Sequence, residues 1–187
     1  MGKLIVYNFV SLNGYYKGLK DDISWAKSDS KGEQEFAAEN LKSGNILLFG
    51  RVTYEMMAGY WPLPDAAKNN PLVADGMNKA EKIVFSKTLK NAEWNNTRII
   101  KDNMEEEIKK LKETSGKDMT LLGSGSIVTQ FADMGLIDEF QIMVHPVAIT
   151  EGTPILKDIK QKLELKLTSI REFKSGVVLH CYQPMKK

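Results

Sequence analysis

The chain predicts a three-layer α/β/α fold on a mostly parallel, mixed sheet that ends in an antiparallel C-terminal hairpin. Three observations predict it. Short apolar runs rich in β-branched and aromatic residues alternate with segments of helical period, which implies parallel strands with helices on both faces. The early runs are apolar throughout, as in strands covered on both sides. Near the end, Ser175-Gly176 joins Ile170–Phe173 to Val177–Tyr182, a turn between two short runs that reads as a hairpin.

Lys3 to Ser11 is the first buried strand, carrying Leu4, Ile5, Val6, Tyr7, Phe9 and Val10. Asn13-Gly14 breaks it, and the segment to Ser28 reads as a long loop, a candidate lid. Ser30-Lys31-Gly32-Glu33 fits a capping box opening a helix with Phe36, Ala37 and Leu41 facing inward, closed by Gly44-Asn45. Ile46 to Phe49 is a second buried strand. Gly50-Arg51-Val52-Thr53-Tyr54 opens a helix in which Tyr54, Met57, Ala58 and Trp61 recur at helical spacing and are read as core. Pro62 and Pro64 stop it, and 62–80 reads as loop. Lys82–Phe85 and Thr97–Ile100 are short strands. Asp102 is suited to N-cap a helix bearing Met104, Ile108 and Leu111. Met119–Leu122 is the next strand, followed by a Gly123-Ser124-Gly125-Ser126 turn and a helix with Ile127, Phe131 and Met134. Glu139–His145 alternates, with Phe140, Ile142 and Val144 inward, and Lys162–Leu167 alternates as a half-exposed strand. No repeat or linker divides the 187 residues, and one domain over residues 1–187 is expected.

Composition narrows the function. With 42% hydrophobic and 27% charged residues the chain is globular, and a net charge of +2 without a basic stripe argues against a nucleic-acid partner. A single cysteine, Cys181, excludes an intrachain disulfide and a cysteine-cluster metal site, and the two histidines are far apart. No apolar stretch reaches membrane length, and Met1-Gly2-Lys3 leads straight into a strand without a signal segment. No membrane partner and a cytoplasmic setting are therefore expected.

The turn at Gly123–Ile127 carries the most chemistry. Strand, glycine turn and helix in succession expose backbone N–H groups at a helix N-terminus, where the dipole favours an anion, and glycine lets a phosphate approach. The turn lacks the lysine of a P-loop, and Val128 stands where the full dinucleotide fingerprint has its third glycine. The same pattern also serves an ordinary strand-to-helix connection. Arg51 poses a parallel question: a cation in the first turn of a helix opposes the dipole, which a bound anion would explain, although a solvated side chain would not need one.

Five separated stretches, in order along nearly the whole chain, resemble the dihydrofolate reductase-like superfamily. Within it they are more similar to the reductase domain of the bifunctional riboflavin-biosynthesis deaminase/reductase and its stand-alone bacterial relatives. They are Ser11–Tyr15, Leu47–Glu55, Val84–Leu89, Leu122–Ser126, and Leu136–Glu139 through His145-Pro146-Val147 to Gly152. The resemblance implies a dihydrofolate reductase-like fold that binds NADPH across the C-terminal edge of its sheet and acts on a small-molecule substrate. It implies that Gly50, Arg51 and Thr53 together with Gly123, Ser124, Gly125, Ser126 and Ile127 hold the diphosphate, and that Ser86 and Lys87 take the 2′-phosphate. It also implies that the loop from Asn13 and Gly14 covers the nicotinamide, and that the chain forms a homodimer. Ser86-Lys87-Thr88 equally suits a plain polar turn.

The chain departs from the folate enzymes, which place a buried carboxylate on the first helix. Here Asp29, just before that helix, and Glu33 are nearest; Glu33 suits the capping box, and Asp29 is left as the candidate catalytic acid. The implied activity is hydride transfer to a small heterocyclic or ribosyl-aminopyrimidine-like substrate, of the 5-amino-6-(5-phosphoribosylamino)uracil reductase type. The alternative is a dinucleotide-binding protein of the same fold without turnover. A Rossmann dehydrogenase is disfavoured because its glycine fingerprint belongs at the first strand.

Overall fold

A computed structural model describes residues 1–26 and 30–185. Its centre is an eight-stranded mixed sheet. Strands β1 (Leu4–Ser11), β3 (Ile46–Gly50), β4 (Lys82–Phe85), β5 (Thr97–Ile100), β6 (Met119–Leu122) and β7 (Glu139–His145) run parallel, and β9 (Leu165–Glu172) and β10 (Val178–Pro184) complete it antiparallel. The order across the sheet is β5-β4-β3-β6-β1-β7-β10-β9. A separate pair joins β2 (Tyr15–Gly18) to β8 (Gly152–Pro154). The helices are α1 (Lys31–Lys42), α2 (Arg51–Ala58), α3 (Pro64–Asn69), α4 (Pro71–Lys79), α5 (Met104–Thr114) and α6 (Gly125–Asp133).

The period of two along each strand assigns side chains to two cores. Ile46, Leu48, Ile83, Phe85, Leu4 and Val6 face α5 and α6, where Ile108, Leu111, Ile127, Val128 and Phe131 close over them. Leu47, Phe49 and Val84 face the opposite side and pack with Ala38, Tyr54, Val73, Met77 and Trp94. Full burial of β3 and β4 explains why their sequences are unbroken apolar runs apart from Lys82. Lys82 is itself fully buried: its Nζ donates to the carbonyls of Met77 at 2.9 Å and Ala80 at 2.6 Å and lies 4.6 Å from the Trp94 ring. These carbonyls end α4, where a cation complements the helix dipole. Desolvation still pulls its ammonium down to about 8.

Several elements differ from expectation. Residues 62–80, expected as loop, form α3 and α4, with Pro64 and Pro71 at their first positions. Proline there lacks only an N–H that the helix would not use, so it starts a helix as readily as it stops one. Gly76 lets α4 meet α1, since a Cβ would stand 2.8 Å from that of Leu41. The N-cap of α5 is Asn103, in the left-handed conformation with φ 54°, not Asp102. The expected strands at 162–167 and 170–173 form one strand, which begins only at Leu165 and ends at Glu172. An irregularity where Cys181 pairs with Ser169 but Tyr182 pairs with Leu167 interrupts its register, and this edge strand is exposed from Lys166 to Glu172, Leu167 and Ile170 included. In β7 the inward set is split: Phe140 and Ile142 join one core, whereas Met143 packs on the other face with Leu179 and Cys181.

The loop after β1 is tied down. Asn13 Nδ2 donates to the Ile149 carbonyl at 2.8 Å, its Oδ1 accepts the Ile149 N–H at 3.2 Å, and the Ile155 N–H donates to the Gly14 carbonyl at 3.1 Å. Farther along, a Cβ on Gly152 would overlap the Lys17 carbonyl oxygen, so only glycine allows β8 to lie this close to β2.

Candidate functional site

Parallel strands put their C-terminal ends on one edge, so the turns after β4, β3 and β6 follow one another along it. Brought together there are the first turns of α2 and α6. Gly50 to Thr53 and Gly123 to Ile127 line one cavity of about 520 Å³. Two helix N-termini aimed into one space leave several backbone N–H groups without intrahelical acceptors, and their dipoles add.

A small polar knot locks the two turns. The Gly50 N–H donates to Ser124 Oγ at 2.7 Å, Ser124 Oγ donates to the Leu122 carbonyl at 3.0 Å, and the Ser124 N–H donates to Thr53 Oγ1 at 3.1 Å. Gly50, Thr53 and Ser124, expected to face a phosphate directly, thus engage one another and shape the cradle. The donors left over are the first-turn amides of Arg51, Val52, Gly125 and Ser126. The glycines are explained by packing: a Cβ on Gly123, whose φ is +54°, would stand 3.1 Å from Thr53 Cγ2, and one on Gly125 would stand 2.6 Å from the Tyr16 ring. Arg51 Nη1 pairs with Glu55 at 2.9 Å on the same helix and remains half exposed.

Tyr16 and Lys17 reach the cavity from β2. Lys17 pairs with Asp21, whose hydrogen bond holds the ammonium above its ordinary value. Asn8 of β1 adds a buried amide that donates to the Gly123 carbonyl at 3.2 Å. The far wall comes from the helices: Gln34, Ala37, Asn40 and Leu41 of α1, Met56 and Met57 of α2, Trp61 beyond it, and Asn70, Val73 and Met77 at the start of and along α4. Trp61 therefore joins the cavity wall as well as packing on the core, while Tyr54 is core alone.

Other expected residues lie elsewhere. Asn13 and Gly14 do not line the cavity and face residues 149–155. Ser86 and Lys87 sit at the adjoining strand end outside it. Ser86 Oγ accepts the N–H groups of Thr88 and Leu89, and Lys87 is well exposed, 3.5 Å from Asp102. Asp29 falls outside the described residues. Glu33 is buried behind the cavity, accepting the hydroxyls of Ser30 and Ser175, with Oε2 unpartnered among the described residues. Burial raises the Tyr7 hydroxyl, and the Glu33 charge adds to this. Burial lowers His145, and Glu33 partly offsets it.

Sequence reasoning did not find Asn8, Tyr16 or the helical wall. The only signal was the tyrosine pair in a glycine-rich loop; the amides on α1 and α4 look like solvated helix positions until the helices are packed.

Comparison with known proteins gives three findings. The RibD C-terminal domain family matches residues 2–179. The uncharacterized protein YyaP of Bacillus subtilis (strain 168) is 34% identical over 181 residues, covering 96% of this chain and 94% of that protein; the uncharacterized YwjB of the same organism is 22% identical over 182 residues, covering 95% and 96%. Among solved structures, a Shewanella sp. PV-4 protein assigned to riboflavin biosynthesis superposes with a TM-score of 0.75 at 17% identity, covering 98% of this chain and 99% of that one. A pyrimidine reductase-like protein from Corynebacterium diphtheriae superposes with 0.69 at 13%, covering 100% and 93%. These likenesses carry the fold, which is dihydrofolate reductase-like.

Proposed function

The chain belongs to the RibD C-terminal domain family, and from that premise we propose that it is an NADPH-dependent reductase of a small heterocyclic or ribosyl-aminopyrimidine-like substrate. The observation that supports this is the convergence of the α2 and α6 N-termini on one cavity at the C-terminal edge of a parallel sheet. The amides of Arg51, Val52, Gly125 and Ser126 would hold the diphosphate, with the Arg51 guanidinium at the rim and Ile127 beneath. Gly50, Thr53, Gly123 and Ser124 keep the two turns in register. Ser86 and Lys87, at the neighbouring strand end, would take the 2′-phosphate of NADPH. The loop carrying Asn13 and Gly14 would anchor the cover formed by Tyr16 and Lys17. When bound, the nicotinamide supplies a hydride; the chain's part is to bind, orient and exclude water. Asp29 is proposed as the proton donor.

One observation favours a second reading, a dinucleotide-binding protein without turnover. Among the described residues the only carboxylate lining the cavity is Asp21, already paired with Lys17. Titration of NADPH fluorescence tests cofactor binding, and loss of NADPH absorbance with a panel of pterins and ribosyl-aminopyrimidines tests turnover. Oxidation with any member supports the reductase. Binding without oxidation favours the second reading, and absence of binding overturns both.

We further propose that the chain works as one domain in the cytoplasm and as a homodimer. No helix among the described residues is long and apolar enough to cross a membrane. The edge strand β9 carries Leu167 and Ile170 exposed, which suits pairing with a second copy. Sedimentation velocity tests the dimer.

A further inference from the structure

We propose that the helical half of the cavity takes an uncharged, largely apolar planar heterocycle read at its edges by carboxamides, and not a phosphorylated ribosyl compound. The proposal rests on the reading of the other half as the dinucleotide site.

The wall formed by α1, α2 and α4 presents Leu41, Met57, Trp61 and Met77, with Asn40 and Asn70 among the residues that line it. An aromatic and thioether surface favours a flat, polarizable ring. Each carboxamide offers two donors and an acceptor, the complement of ring N–H and C=O groups. No hydrogen bond within the described chain engages either amide side chain; Asn70 begins α4 without a side-chain cap bond. Both residues are half-buried positions of the cavity lining, where the edge of a heterocycle can supply partners.

The charges are distributed differently. Among the described residues the cavity is lined by two cations, Lys17 and Arg51. Lys17 is paired with Asp21, Arg51 is paired with Glu55, and both stand at the end shared with the α2 and α6 N-termini. Helix α4 also starts at the helical wall, but proline at its first position removes one N–H, and Val73 faces the cavity. A phosphate placed there would lose its hydration without a described cation to replace it, a cost that apolar contacts do not recover.

The test uses the full chain and three probes: lumazine, its ribityl derivative, and the phosphate ester of that derivative. Each is titrated calorimetrically with and without saturating NADPH. The expected result is that lumazine binds at least about ten-fold more tightly than the phosphate ester, a difference of about 1.4 kcal/mol. Asn40→Ala should weaken lumazine several-fold and leave NADPH binding intact. Asn40→Lys, which places a cation on the wall, should shift preference toward the ester. An ester that binds the unaltered chain as tightly as lumazine overturns the proposal, as does NADPH binding with no binding of lumazine. Lumazine binding that persists while NADPH fails to bind overturns the dinucleotide reading and leaves the character of the helical wall supported.

Discussion

The backbone N–H of Gly50 donates to Oγ of Ser124 at 2.7 Å, fastening the turn after β3 to the turn after β6. The bond is buried, so its loss leaves a donor without water. Ser124→Ala should therefore destabilise the chain by about 1–3 kcal/mol and weaken NADPH binding, because the two helix N-termini lose their common register. Urea unfolding and NADPH titration check both; a neutral result in both would show that the knot does not set the cradle.

Gly125 and Tyr16 form a second tight pair. A Cβ at Gly125 would meet the Tyr16 ring at 2.6 Å, and the ring belongs to β2. Gly125→Ala should cost about 1–3 kcal/mol through overpacking. Adding Tyr16→Ala should recover most of it. A thermodynamic cycle over the four proteins measures the coupling, and additive losses would refute the contact.

Lys87 lies outside the cavity with its side chain exposed. As a ligand of the 2′-phosphate its removal should act selectively. Lys87→Ala should weaken NADPH by roughly ten-fold, about 1.4 kcal/mol, and NADH much less. Equal losses for the two cofactors would remove Lys87 from that role.

Stability should depend on pH through Lys82. Its folded ammonium titrates at about 8, below its ordinary value of 10.5. In the window between these values the unfolded chain binds more protons, so stability rises with pH there, by at most about 3 kcal/mol. Tyr7 and Cys181, both pushed up by burial, oppose this from about pH 9 upward, since the unfolded chain then loses protons that the folded chain keeps. The comparison that isolates Lys82 is with Lys82→Met. The stability difference between the two proteins should change in favour of the unaltered chain from about pH 7 to about pH 9. A constant difference in urea unfolding would contradict it.

Glu33 links α1 to the turn between β9 and β10 through the Ser30 and Ser175 hydroxyls. Its charge raises His145 against the lowering by burial. Glu33→Gln should therefore move the His145 titration, followed by NMR, to still lower pH. An unchanged titration would mean that the two groups are not coupled.

What could be read from the sequence follows from how local each signal is. β1, β3, β4 and β6 are legible because strands covered on both faces need continuous apolar runs, and α1 because Ser30 and Glu33 mark its start. The turns at Gly50 and Gly123 are legible because glycine punctuates strand-to-helix junctions. α3 and α4 were hidden because proline reads alike as a stop and as a first residue. β2 was hidden because its partner β8 lies far along the chain. The helical wall of the cavity was hidden for the same reason: Asn40, Asn70 and Trp61 come to line one cavity only when α1, α2 and α4 have packed.

The close seat of Gly152 against the Lys17 carbonyl gives that remote glycine a hold on the cavity mouth. Strand β2 carries Tyr16 and Lys17, and it is coupled through β8 to the 147–155 segment, so the two must shift as a single mechanical piece. Drift at position 152 toward any larger residue would pry up the flap from behind. Such a change would alter how fast molecules enter and leave while every cavity-lining side chain kept its identity.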